Sequence, residues 1–129
     1  MKPSLKYTTI FCVAVMVVFT LSSCKKEGTG GKSSVSGNVK HHQKIIPNAE
    51  VYIKYGATEF PGTDLSKYDA HTTADTNSHY EFKDLQRGDY YLYGVGTDGI
   101  GASSFIVAGG ISIKLKYNKA STTDVPVTE

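Results

Sequence analysis

The side chains able to do chemistry are few, and their spacing argues against a catalytic or metal centre. His41, His42, His71 and His79 are the only imidazoles. His41 and His42 are adjacent at a strand end, where neighbouring side chains diverge, so the pair alone cannot chelate a metal. Asp75-Thr76-Asn77 has the opening of a calcium loop. Such a loop needs Gly at its sixth place and Glu at its twelfth, and Tyr80 and Gln86 stand there instead, which predicts a turn. Ser103 and Ser104 lie outside any Gly-x-Ser-x-Gly elbow. Gly94, Gly96, Gly99 and Gly101 are spaced like a phosphate loop, but no helical pattern follows to offer an N-terminus, so a hairpin is expected. No acid–base set converges. The expectation is a protein with no catalytic residue, metal or cofactor.

The elements around these residues read as strands. Alternation with period two recurs, and no long window shows a clean helical period. Val35, Gly37 and Val39 share one face of a first strand. Ala49, Val51, Ile53 and Tyr55 share a face of a second, with Glu50, Tyr52 and Lys54 opposite. Gly56 to Ser66 holds Pro61-Gly62 and little periodicity, which predicts a loop. Tyr68 to Asp75 is compatible with a strand, Asp75 to Ser78 with a turn, and Tyr80-Glu81-Phe82 with the strand after it. Arg87-Gly88-Asp89 turns into Tyr90 to Val95, the most aromatic strand. Ile111, Ile113, Leu115 and Tyr117 alternate with Ser112, Lys114 and Lys116. Asn118 to Ser121 then reverses the chain so that Thr122 to Val127 pairs back, with Pro126 at an edge or terminal position. Short strands at this spacing indicate an all-β sandwich or barrel.

The chain has 129 residues, enough for one domain, with 14 Lys and Arg against 12 Asp and Glu. Lys2 and Lys6 fall in the N-terminal segment, and without them the two signs balance. That excludes a basic nucleic-acid footprint, and the aromatic content excludes a disordered chain. After Lys2 and Lys6 the residues from Thr9 to Leu21 are almost wholly apolar. The run is shorter than the roughly 20 residues a membrane-crossing helix needs, and it has the length of a signal-peptide core. Leu21-Ser22-Ser23-Cys24 then resembles the lipobox of bacterial lipoproteins. The resemblance implies cleavage before Cys24 and acyl chains on its thiol, so that the membrane itself is a partner. A stable hold needs more than one acyl chain. Residues 1–23 are thus expected to be a signal peptide, 24–33 a flexible tether of Lys, Gly and Ser, and 34–129 the folded domain. Lys25 holds the place where Asp signals inner-membrane retention in two-membrane bacteria, and Lys25-Lys26-Glu27 does not match acidic surface-export runs. The resemblance therefore implies the periplasmic leaflet of the outer membrane, within the cell envelope.

Two stretches carry a second resemblance. Val35-Ser36-Gly37-Asn38-Val39 with Ile46-Pro47-Asn48-Ala49-Glu50-Val51, and Thr72-Thr73-Ala74-Asp75 with Tyr80-Glu81-Phe82, Leu85 and Gly88-Asp89-Tyr90-Tyr91-Leu92, are similar to carboxypeptidase regulatory-like domains. The resemblance implies a transthyretin-like (prealbumin-like), two-sheet Greek-key sandwich of about seven strands. It departs at Asn77-Ser78-His79, where the family turn carries Gly, and in a longer loop from Gly56 to Lys67. Such modules serve as spacers, accessory domains or binding surfaces. The related hydroxyisourate hydrolases end in Tyr-Arg-Gly-Ser, absent here. Cna-B-like modules join a first-strand Lys to a last-strand Asn or Asp, but Lys40 alternates away from the Val35 face and Gly94 replaces the promoting Glu. No isopeptide bond to Asn118 is expected.

In the transthyretin-like arrangement the strands matching Ala49–Tyr55 and Gly88–Val95 are neighbours, which would gather Tyr52, Tyr91 and Tyr93 beside Lys54 on one outer face. Tyrosine there combines rigid apolar area with a hydroxyl suited to protein or sugar contact. The sequence thus points to a lipid-anchored envelope lipoprotein whose sandwich is a non-catalytic structural or protein-interaction module. The alternative is a small ligand- or glycan-binding lipoprotein serving an outer-membrane transport system. Replacing Cys24 with Ser is expected to block processing and release the protein from membranes, read by fractionation and intact mass. A normally cleaved, membrane-retained variant would overturn the lipidation.

Overall fold

The computed structural model describes residues 26–129; the lipidation site expected at Cys24 and the signal peptide expected over 1–23 lie outside them. The first strand, β1 (Thr29–His41), alternates as expected, with Val35, Gly37, Val39 and His41 turned inward. Four further strands hydrogen-bond to it: β2 (Lys44–Ile45) and β5 (His79–Leu85) antiparallel, β8 (Ala120–Thr122) and β9 (Val125–Pro126) parallel. The facing sheet has the order β4 (Ala70–Thr73), β3 (Glu50–Tyr55), β6 (Gly88–Asp98), β7 (Phe105–Leu115). The protein is all-β, a sandwich of a five-stranded and a four-stranded sheet. Two of its strands are only two residues long, which is why it exceeds the expected seven.

Period-two burial builds the core from both sheets. Val35 and Val39 from β1, Val51 and Ile53 from β3, and Tyr90 and Leu92 from β6 are all fully buried. Tyr117, expected on the face of Ile111, lies beyond the end of β7 and is exposed. The turn before β5 does without glycine at Asn77-Ser78-His79. The Asp75 carboxylate accepts the N–H groups of Asn77 and His79, and Ser78 takes the left-handed position at φ 66°. The buried Ser78 hydroxyl accepts the Val39 N–H and donates to the Val39 carbonyl, which ties the turn to β1.

Two expectations are corrected. The tether does not run to Ser33, because β1 starts at Thr29 and carries that segment into the fold. Ser33 is buried and its hydroxyl donates to the Lys116 carbonyl at 2.5 Å. The Gly28 N–H donates to the Tyr90 hydroxyl at 2.9 Å. Backbone and hydroxyl groups hold this segment, so its lack of apolar side chains concealed it. Nor does the last segment pair back along β7. It crosses to the other sheet, runs parallel to β1, and among the described residues bridges to β7 through a single pair, Ala108 and Thr128. Gly37 and Gly109 permit the crossing: a Cβ on Gly37 would stand 1.9 Å from the Thr123 carbonyl oxygen, and one on Gly109 2.5 Å from that of Pro126.

Tyr90 fills core volume and keeps its hydroxyl bonded at the sheet edge, where it donates to the Gln86 carbonyl at 2.7 Å. Tyr90→Phe leaves the Gly28 N–H without that partner. A loss of about 1–2 kcal/mol is expected in denaturant unfolding, with faster amide exchange at Gly28. An unchanged midpoint and unchanged exchange would contradict the role.

Candidate functional site

The outer face of β3 and β6 collects aromatic rings because the register sets them side by side: Tyr52 lies opposite Tyr93, and Lys54 opposite Tyr91. Facing Cβ atoms at such positions are about 5 Å apart, within reach of ring contact. The four residues expected on this face, Tyr52, Lys54, Tyr91 and Tyr93, therefore come together. The long loop adds two rings that alternation could not reveal, because the strand expected from Tyr68 starts only at Ala70 and leaves Tyr68 in the loop. Tyr68 stacks on Tyr93 with centroids 5.6 Å apart and planes 17° from parallel. Phe60 lies 5.3 Å from Tyr93 and 5.9 Å from Tyr91. Tyr52 touches Tyr68 at 5.8 Å and His71 at 5.4 Å. Tyr93 is consequently buried beneath the loop, whereas Phe60 is 51% exposed and Tyr91 half-buried.

Local polar bonds shape the loop. Asp64 caps the short turn Leu65–Lys67 by accepting the Ser66 N–H and hydroxyl, at 3.1 and 2.6 Å. The Tyr68 hydroxyl donates to the Gly62 carbonyl at 2.9 Å. Asp69 accepts the Tyr55 N–H at 2.7 Å and pairs with Lys54 at 3.3 Å, which fixes Lys54 at the rim of the ring cluster. Burial, then the neighbouring Tyr93 and Tyr91, push the Tyr68 hydroxyl up to about 12. Burial and Tyr93 likewise raise Tyr91. Both rings stay neutral through the physiological range, and the surface they form is apolar with polar tips.

A second cluster stands at the far end of β1. His41, at a strand end as expected, is buried, and its Nδ1 lies 2.8 Å from the buried Asp98 carboxylate. Lys44 bonds the other carboxylate oxygen, and the Phe105 ring meets the His41 ring edge-on at 6.0 Å. Asp98 thus joins β6 to β1 and β2 across the sandwich. Lys44 first, then His41, hold its carboxyl below the usual carboxylate range. Lys40, turned away from the core as expected, pairs with Asp124 at 2.7 Å.

No protein-family model matches the chain, and no curated protein matches it. Among solved structures, a Pseudomonas aeruginosa protein named a "putative carbohydrate binding protein" superposes on it with a TM-score of 0.53 and 11% identity, covering 77% of this chain and 90% of its own. The likeness is one of fold.

Folding lowers the pKa of Asp98, so its contribution to stability is complete above the unfolded value of about 3.9 and is lost as pH falls through the lower folded value. Asp98→Asn is expected to be less stable than wild type at pH 7. The gap should close as pH falls below the ordinary carboxylate range and the wild-type carboxyl protonates. Chemical denaturation at several pH values reads it, and a gap that does not vary with pH would show that the charge is not what binds the cluster.

Proposed function

We propose that the protein is a non-catalytic glycan-binding module of the cell envelope, held through acyl chains on Cys24 in the periplasmic leaflet of the outer membrane. One observation carries the binding role: the continuous ring surface of Tyr52, Tyr68, Phe60, Tyr91 and the underlying Tyr93 on the outer face of β3 and β6. A pyranose ring has apolar C–H faces and a rim of hydroxyls. Flat rings take the faces, while tyrosine hydroxyls, Lys54, Asp69 and His71 at the margin offer donors and acceptors to the rim. A spacer has no need to hold a half-exposed Phe60 over a sheet, which favours this reading over a purely structural one. The name given to the Pseudomonas protein points the same way, by analogy of fold. The carboxypeptidase regulatory-like resemblance of residues 33–96 agrees with a binding role that involves no chemistry.

Platform and anchor are compatible. Glu27 and Gly28 lie at the Tyr55 and Gly88 end of the sandwich, and the rings line a side wall, so attachment through the segment before Glu27 leaves the ring face uncovered under this reading. Phe60→Ala combined with Tyr91→Thr removes two of the accessible rings and leaves Tyr93 covered by Tyr68. The double variant is expected to keep its fold by circular dichroism and to lose about tenfold or more in affinity for whichever of dextran, mannan or peptidoglycan the wild type retains in affinity electrophoresis. Equal retention would place the site elsewhere, and no retention of any by wild type would overturn glycan binding.

A further inference from the structure

Strand β7 forms one edge of the four-stranded sheet, and the C-terminal segment covers only part of it. Ala108 exchanges two hydrogen bonds with Thr128, at 2.8 and 2.9 Å. The ladder with β6 runs from Gly88–Leu115 to Asp98–Phe105 without a register shift. Odd-numbered residues of β7 therefore bond to β6, and even-numbered ones turn their N–H and C=O groups outward. Beyond Ala108, those of Gly110, Ser112 and Lys114 meet no backbone partner among the described residues. Native edges of this kind are ordinarily guarded by charge, proline or a bulge. Here no charged residue or proline occurs from Gly99 to Ile113, and Lys114 stands only at the end.

The open stretch has apolar surface beside it. Ile111 and Ile113 pack against the core but stay partly exposed, and a cleft opens beside Ile111, with Pro126 and Val127 on its apolar side and Lys40, Gln43 and Asp124 on its polar side. At the lower end Lys114 lies 3.5 Å from Asp89, while Lys116 and Lys119 are exposed and form no ion pair among the described residues. We propose that this edge is a strand-addition site for an extended peptide segment of a partner protein. The segment runs antiparallel to β7, places alternate apolar side chains over Ile111 and Ile113, and brings acidic residues at its N-terminal end to Lys114, Lys116 and Lys119. A second copy is a poorer occupant, because β7 contains no acidic residue to answer those lysines. The inference is independent of the glycan reading, which uses the face of the sheet and not its edge.

The probe is an acetylated peptide of two glutamates followed by alternating valine and threonine, titrated calorimetrically into the folded domain. Binding is expected, with the amides of Gly110, Ser112 and Lys114 gaining protection from hydrogen exchange. Ser112→Pro removes one outward N–H and no bond to β6, so the fold should persist while affinity falls about tenfold or more. N-methylating the peptide on the amides that face β7 should do the same to wild type, and that arm decides the matter alone if Ser112→Pro does not fold. No binding up to about 1 mM, or affinity indifferent to both changes, would overturn the proposal. A concentration-dependent dimer of the domain that Ser112→Pro abolishes would assign the edge to a second copy and overturn it as well.

Discussion

Every ladder in the five-stranded sheet has β1 as one of its two strands, since β2, β5, β8 and β9 all pair with it and not with one another. The sheet is a hub with spokes, and its 13-residue centre must be in place before any of the others has a partner. The sequence of β1 meets that demand. Val35 and Val39 face the opposing sheet, Gly37 makes room for Thr123, and the polar residues between them carry the ladders. Contacts between residues this far apart in sequence bear a high loop-closure cost, so the β1 ladders, and with them the five-stranded sheet, are expected to form late in folding.

How much of this was legible depends on whether a feature is written locally. The alternation of Val51 and Ile53 against Tyr52 and Lys54, and of Tyr90 and Leu92 against Tyr91 and Tyr93, is a local pattern that turned the rings outward; that the two strands are neighbours was implied by the transthyretin-like resemblance and not by periodicity. Phe60 and Tyr68 belong to the same surface, but nothing periodic marks a loop residue. Their positions follow from Asp64, Asp69 and the Gly62 carbonyl, bonds that only the folded loop contains. Asp98 was invisible for another reason. Its partners lie 57 and 54 residues away, and an Asp at a strand end looks like any turn residue. The final crossing escaped because parallel pairing to the first strand leaves no turn signature, only glycines whose need for space appears once the neighbouring backbone is known.

The two clusters divide the labour of the sandwich. At one pole Asp98, His41 and Lys44 close the gap between sheets with charge, while the flank above Tyr93 is closed by rings that stay neutral. A charged device suits a joint between strand ends, where water still reaches Lys44. An uncharged one suits the proposed binding role, in which the ring surface would release water as something flat came to rest on it.

The bond from Gly28 to Tyr90 also settles how the domain answers a mechanical load. Tension arriving at the N-terminus acts along the axis of β1, which spans about 40 Å and is bonded to β5 on one side and to β8 and β9 on the other. Pulled lengthwise, those ladders are strained in shear and must yield together, whereas a strand peeled sideways gives way one bond at a time. The Tyr90 hydroxyl and the buried Ser33 hydroxyl sit where the force enters and keep the first residues from peeling. Were the domain fastened at that end, as proposed, it would resist a lengthwise pull better than one whose first residues were free to peel.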